Sequence, residues 1–150
     1  MKVKFRVLNS RATMPNKAHA SDAGFDLTAT SRYTDDRGNI VYGTGIAVEI
    51  PEGYVGLLFP RSSVCKYDLS LSNAVGVCDS GFRGEILFKF KPTLRYIGIG
   101  LAIVNPTDTY NVGDRIGQII ILPYPSVEWE EVDELSDSDR GVNGYGSSGR

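Results

Sequence analysis

The chain has 150 residues, 41% of them hydrophobic and 23% charged, with 17 glycines, 7 prolines and a formal net charge of −2. That length suits one domain whose core needs no disulfide or metal staple. The slightly acidic balance argues against a nucleic-acid or membrane surface, and no run approaches the roughly 18 apolar residues of a membrane span.

In chain order, runs rich in Val, Ile, Tyr and Phe predict strands at Val3–Leu8, Asp26–Thr30, Gly45–Ile50, Tyr54–Phe59, Glu85–Lys91, Leu101–Asn105, Arg115–Leu122 and Val127–Val132. VKFRVL and ILFKFK alternate with the period of half-buried strands. RIGQIIIL is nearly continuous in apolar residues and predicts a strand buried on both faces. No window of 11 or more residues carries a helical stripe; only SSVCKYDL, after Ser62, suits a short helix. Many short strands separated by Gly, Pro, Asn and Asp turns point to an all-β barrel or sandwich with little helix. The domain is expected over residues 1–135. The tail SDSDRGVNGYGSSGR is too polar to build a core, so residues 136–150 are expected as a flexible arm.

Cys65 and Cys78 have no metal-ligand spacing and are expected as free buried thiols in a reducing compartment. His19 has no Cys or second His near it and is expected as a solvated loop residue. MKVKFRVLNS has no apolar leader, so a cytoplasmic protein is expected.

Five segments hold more Gly, Ser, Asp or Arg than strands and turns need: DAGFDL (22–27), PRSSV (60–64), NAVGVCDSGFRGE (73–85), GDRIGQ (113–118) and RGVNGYGSSG (140–149). Each has a plain structural reading. DAGFDL and GDRIGQ read as turns entering strands. PRSSV reads as a helix start with Ser62 or Ser63 as N-cap, and RGVNGYGSSG as a disordered tail. Asp79, after the apolar Ala74–Cys78 stretch, is a turn carboxylate or a general base. Together the segments offer hydroxyls, two phosphate-matching guanidiniums in Arg61 and Arg140, and glycines that admit an anion to the backbone. Tyr145 adds a ring suited to stacking on a base. The spacing matches neither a Walker loop nor a dinucleotide-binding glycine motif. The residues alone therefore reach an all-β protein with a phosphate-and-base site.

In this order and spacing the five segments resemble the five motifs of the trimeric dUTPase family, from Ala23 to Gly149. The resemblance implies a jelly-roll-like β-barrel, a homotrimer with active sites shared between subunits, and Mg²⁺-dependent hydrolysis of dUTP to dUMP and pyrophosphate. It implies no membrane partner and no direct nucleic-acid binding. Asp79 matches the catalytic aspartate that activates water. Asn73 and the backbone of Gly76, Val77 and Cys78 match the hairpin that reads uracil. Phe82 stands where the family usually has Tyr, against the deoxyribose. Arg61, Ser62, Ser63 and Gln118 match phosphate contacts, with Ser63 where the family often has Gly. Arg140, Tyr145, Gly146, Ser147 and Ser148 match the arm that closes over the nucleotide, Tyr145 replacing the usual Phe. Asp26 matches an aspartate near the metal and its waters, the Mg²⁺ itself being held mainly by phosphates.

Between Lys91 and Asp114 the chain is longer than compact members. The nearest enzyme alternative, dCTP deaminase, needs a glutamate where Lys89 stands; a dUTP-gated protein-binding module is the other alternative.

Overall fold

The computed structural model describes residues 1–97, 100–103 and 109–144. Its strands are β1 (Lys4–Val7), β2 (Phe25–Thr28), β3 (Ser31–Thr34), β4 (Ile40–Glu49) and β5 (Tyr54–Pro60), followed by a 3-10 helix at Ser62–Lys66. Then come β6 (Leu69–Leu71), β7 (Gly76–Cys78), β8 (Glu85–Pro92), β9 (Leu94–Ile97), β10 (Gly100–Ile103) and β11 (Arg115–Pro123).

One sheet has the order β1-β4-β8-β6, with β3 also paired to β4; a second has the order β2-β11-β5-β7. β9 and β10 form a separate hairpin. The all-β, jelly-roll-type expectation holds, with two facing antiparallel sheets rather than a continuous closed barrel. The core lies between them: Tyr42, Ile46, Ile86, Phe88 and Phe90 come from the first sheet, Leu27, Cys78, Ile116 and Ile119 from the second. β8 shows why its sequence folds this way. Ile86, Phe88 and Phe90 point inward while Leu87 and Lys89 face outward, so one strand serves both core and solvent.

The strand buried on both faces is β4, not β11. Every residue from Ile40 to Val48 is buried, because β1 and β3 share one edge of β4 and β8 takes the other. In β11, Ile116, Gly117 and Ile119 are buried but Leu122 and Pro123 reach solvent. β4 also begins earlier than its hydrophobic pattern suggests, since Gly43–Gly45 form a bulge within the strand. Gly45 has φ +66°, its N–H donates to Glu85 Oε1 at 2.7 Å, and the register with β8 shifts between Gly43 and Ala47.

Three further expectations are corrected. Val127–Val132 forms no strand; Val127 and Trp129 are 62% and 93% exposed, and among the described residues no strand pairs with them. The N-cap of the 3-10 helix is Arg61, without a side-chain cap bond, because Ser62 and Ser63 already lie inside the helix. Cys65 is exposed on that helix and only Cys78 is buried, although both thiols are free. The predicted strand at Leu101–Asn105 coincides with β10 up to Ile103, and its last two residues fall outside the described ones. β3, β6, β7 and β9 have four residues or fewer, too short for a hydrophobic period to register.

Gly117 sets the closest approach between the two sheets. A Cβ there would fall on the Phe88 ring, which is 1% exposed and cannot swing into solvent. Gly117→Ala is therefore expected to destabilise the fold by about 1–3 kcal/mol through overpacking, read as a lower midpoint in urea denaturation; an unchanged midpoint would show that the sheets can separate freely.

Candidate active site

At the end of the second sheet where β5 finishes, three of the five segments converge. The cross-strand register places Gln118 opposite both Asp26 and Phe59, and Gly117 opposite Pro60. Asp26 is the centre of the cluster. Its Oδ1 accepts from Arg61 Nε at 2.7 Å and its Oδ2 from Arg115 at 3.0 Å, with only 11% of the Asp26 side chain exposed. This charge-assisted pairing fixes the Arg61 fork where β5 turns into the 3-10 helix. Gln118 donates to the Pro60 carbonyl at 3.2 Å, and Gly24 lies so close that a Cβ would strike the Gln118 amide. Asp22, Gly24, Asp26, Arg61, Ser62 and Gln118 line an open cleft of about 330 Å³. Cation, hydroxyl, amide and close glycine backbone together suit a phosphate chain.

Ser63 is placed differently. Its hydroxyl is hydrogen-bonded to the Tyr110 hydroxyl at 2.9 Å, on the core side of the helix. The extra side chain relative to the family's frequent Gly is thus accommodated by a buried phenol. Burial pushes the Tyr110 phenol above its ordinary range, and the Ser63 hydrogen bond opposes that only in part.

The opposite end of the same sheet holds the third segment. β7 is a three-residue strand with Gly76 and Cys78 buried and Val77 exposed. Burial raises the Cys78 thiol, and the neighbouring Asp79 carboxylate raises it further, so the thiol stays protonated and packs as an apolar group. Asp79 follows at once, exposed to solvent rather than lodged in the core. Its carbonyl accepts from Phe82 N–H at 3.0 Å, closing the turn. Arg83 braces this turn by donating to the Ser80 and Phe82 carbonyls. The Phe82 ring, 44% exposed, lies over Gly84, where a Cβ would collide with it. Asn73 is exposed in the turn before β7.

Within one chain these two ends do not meet. β7 runs antiparallel to β5 with Gly76 opposite Leu58 and Cys78 opposite Gly56, so Asp79 continues that register toward Val55. Arg61 lies six residues farther along the same extended strand, about 20 Å away at about 3.3 Å per residue. Arg140 is apart again, exposed, with its Nε donating to the Asn143 carbonyl at 2.9 Å. Tyr145, Gly146, Ser147 and Ser148 lie outside the described residues.

Among the described residues, no group of three or more His, Cys, Asp or Glu could hold a metal. Both oxygens of Asp26 are occupied by guanidiniums and one oxygen of Asp22 accepts from the His19 N–H. This donor set fits a Mg²⁺ that arrives on phosphate oxygens and reaches the protein through water. It does not fit a dedicated cage.

Sequence reasoning passed over two residues. Arg115 belongs to GDRIGQ, and a cation entering an otherwise apolar run was its signal. Tyr110 had no local signal, since its partner is 47 residues away.

The chain matches the sequence pattern of the dUTPase family over residues 10–149. It is 37% identical over 153 residues to the deoxyuridine 5'-triphosphate nucleotidohydrolase of Rhodococcus erythropolis, covering 99% of this chain and 87% of that one. Among solved structures it resembles the dUTPase of Staphylococcus bacteriophage 80alpha bound to dUpNHpp, with a TM-score of 0.81, 30% identity and 99% coverage of each chain. It also resembles a dUTPase variant of the S. aureus phage phi11 that coordinates a structural Mg(II) ion, with a TM-score of 0.72, 28% identity and 90% and 99% coverage.

The turn leading into β7 carries strain that is open to test. Ala74 has φ +57°, a left-handed conformation that costs an L-residue about 1–2 kcal/mol. Glycine's greater freedom in the unfolded chain offsets about 0.4–1 kcal/mol of that. Ala74→Gly should therefore raise unfolding stability by about 0.5–1 kcal/mol, and a lower thermal midpoint would contradict the assigned backbone.

Proposed function

This chain belongs to the dUTPase family, and on that premise we propose that it hydrolyses dUTP to dUMP and pyrophosphate as a homotrimer, with Asp79 activating the attacking water. The observation that carries the proposal is the separation of Asp79 from Arg61 along β5. A general base must stand within hydrogen-bond reach of the proton it takes. About 20 Å of strand forbids that inside one chain, given the rise of about 3.3 Å per residue. In a cyclic trimer the Asp79 end of one subunit faces the Arg61 end of its neighbour, and three equivalent sites close. Apolar groups that one chain leaves uncovered, Val127 and Trp129 among them, then have a partner surface.

In that composite site Arg61, Ser62 and Gln118 bind the phosphate chain, and the Asp26–Arg115 pair keeps Arg61 aimed. Asn73 and the backbone of Gly76, Val77 and Cys78 receive uracil. The Phe82 ring fills the space a 2′-hydroxyl would need, and the family's usual Tyr adds only a hydroxyl to it. Asp79 takes the proton of an in-line water as it attacks the α-phosphorus, and pyrophosphate leaves. Mg²⁺ carried on the phosphates would supply neutralisation of charge developing on the leaving group. Residues 136–150 act as an arm, with Arg140 on the γ-phosphate, Tyr145 stacked on uracil, and Gly146, Ser147 and Ser148 closing behind it. A cytoplasmic location suits an exposed free thiol at Cys65. Deaminase chemistry is not favoured, because Lys89 replaces the needed carboxylate and its Nζ pairs with Asp35 at 3.3 Å.

Two experiments test this reading. Purified protein with Mg²⁺ should release pyrophosphate from dUTP and little from dCTP, dTTP or UTP; ammonia from dCTP would overturn it. In the same assay Asp79→Asn should lose about 10²–10⁴-fold in kcat while still binding dUTP. The second experiment mixes two inactive variants, Asp79→Asn and Arg61→Ala, unfolded and refolded together. Random cyclic trimers rebuild one intact Asp79–Arg61 pairing in each mixed assembly, so about a quarter of full activity should return. No recovery would place the whole site within one chain.

A further inference from the structure

The 3-10 helix that carries the phosphate-binding segment has little of its own to hold it. It has five residues, no side-chain N-cap bond and no fully buried residue. Val64 N–H donates to the Arg61 carbonyl at 2.9 Å where the helix begins. Short 3-10 turns of this kind have weak internal geometry and take their orientation from outside. Besides the packing of Val64 against the core, two hydrogen-bonded anchors hold the helix from outside. Asp26 grips Arg61 from the second sheet. Tyr110 grips Ser63 from the core. Ser62, which lines the cleft, lies between these two fixed neighbours.

Tyr110 is itself held rigidly. It is 2% exposed, its ring meets Tyr42 and Phe90 at 6.2 and 5.8 Å, and the Tyr67 ring leans on it at 4.5 Å. Its backbone carbonyl accepts from the Tyr42 hydroxyl at 2.9 Å. A phenol so placed can transmit the geometry of the core to whatever its hydroxyl touches. That hydroxyl is hydrogen-bonded to Ser63. Tyr110 also closes the long connection between β8 and β11 that begins with the β9–β10 hairpin.

We propose that Tyr110 is a positioning residue for the triphosphate, its hydroxyl setting the orientation of Arg61–Ser62–Ser63 through Ser63. The long connection between β8 and β11 thereby has a role in the reaction: it returns the chain so that a buried phenol meets the phosphate-binding helix. This inference rests on the assignment of Arg61 and Ser62 to the phosphates.

The test is Tyr110→Phe, which keeps the ring and removes the hydroxyl. The KM for dUTP should rise about 5- to 10-fold, as expected for one lost orienting hydrogen bond, with kcat changed less than about twofold. Inhibition by dUMP, which lacks the β- and γ-phosphates, should stay unchanged. Ser63→Ala should show the same KM shift, and the double variant should be no worse than either single one. Unchanged KM values in the two single variants, additive losses, or equal weakening of dUTP and dUMP would each overturn the proposal. A lower melting temperature with wild-type KM would show a purely structural bond and overturn it too. Should Tyr110→Phe fail to fold, Ser63→Ala on the partly exposed helix decides alone, by the same KM criterion. If wild-type protein releases no pyrophosphate from dUTP, the functional reading falls and this inference with it. If wild type turns over dUTP and the variants match it, only the role of Tyr110 falls.

Discussion

One carboxylate organises the cleft at the end of β5. Asp26 comes from β2, yet its two oxygens accept from Arg61 beyond β5 and Arg115 at the start of β11. Three segments far apart in sequence are therefore bound at a point with 11% side-chain exposure. The pairing solves an electrostatic problem. Two guanidiniums held side by side without an anion would repel one another, and a polyphosphate site needs cations in place before the ligand arrives. With Asp26 present, Arg61 is oriented while keeping its remaining N–H groups for an anion. The cleft of a chain with net charge −2 thus holds its arginines in place through one shared carboxylate.

The same sheet that builds this cleft keeps Asp79 out of it. β5 runs the length of the sheet, with Arg61 beyond one end and the β7–Asp79 segment paired toward the other. Strand rise turns that register into distance, and no side-chain rotation spans it. On the roles proposed for Asp79 and Arg61, catalysis then requires assembly. In the proposed trimer each subunit would offer a half-site at either end of the sheet, and a closed ring would join unlike halves. The exposure of Asp79 is consistent with that proposal, since a carboxylate meant to meet a neighbour's ligand would have to stay outside its own core.

Backbone geometry sustains the arrangement at two places. Gly117 lets β11 approach Phe88 without a side chain between the sheets. Gly45 turns β4 through a bulge whose freed N–H is taken up by Glu85, just beyond the Asp79 turn. The aromatic cluster of Tyr42, Phe90 and Tyr110 fills the interior near the 3-10 helix, and it links core packing to the phosphate-binding segment. Core and site are therefore not separate problems here.

The sequence alone determined the fold class, most strand positions and the five segments that carry chemistry, because period-two alternation and glycine-rich turns are local signals. It also showed which residue types were available to a nucleotide. It could not show that Asp26 spends both oxygens on arginines, that Ser63 faces a buried phenol, or that Val127–Val132 lacks a partner strand among the described residues. Nor could it show that β4 rather than β11 is buried on both faces, since its glycine bulge breaks the hydrophobic period. Those outcomes depend on pairing between distant segments and on which strand lands in the centre of a sheet. Local propensity carries no information about either, so only the tertiary structure could set Asp79 and Arg61 far apart along one sheet.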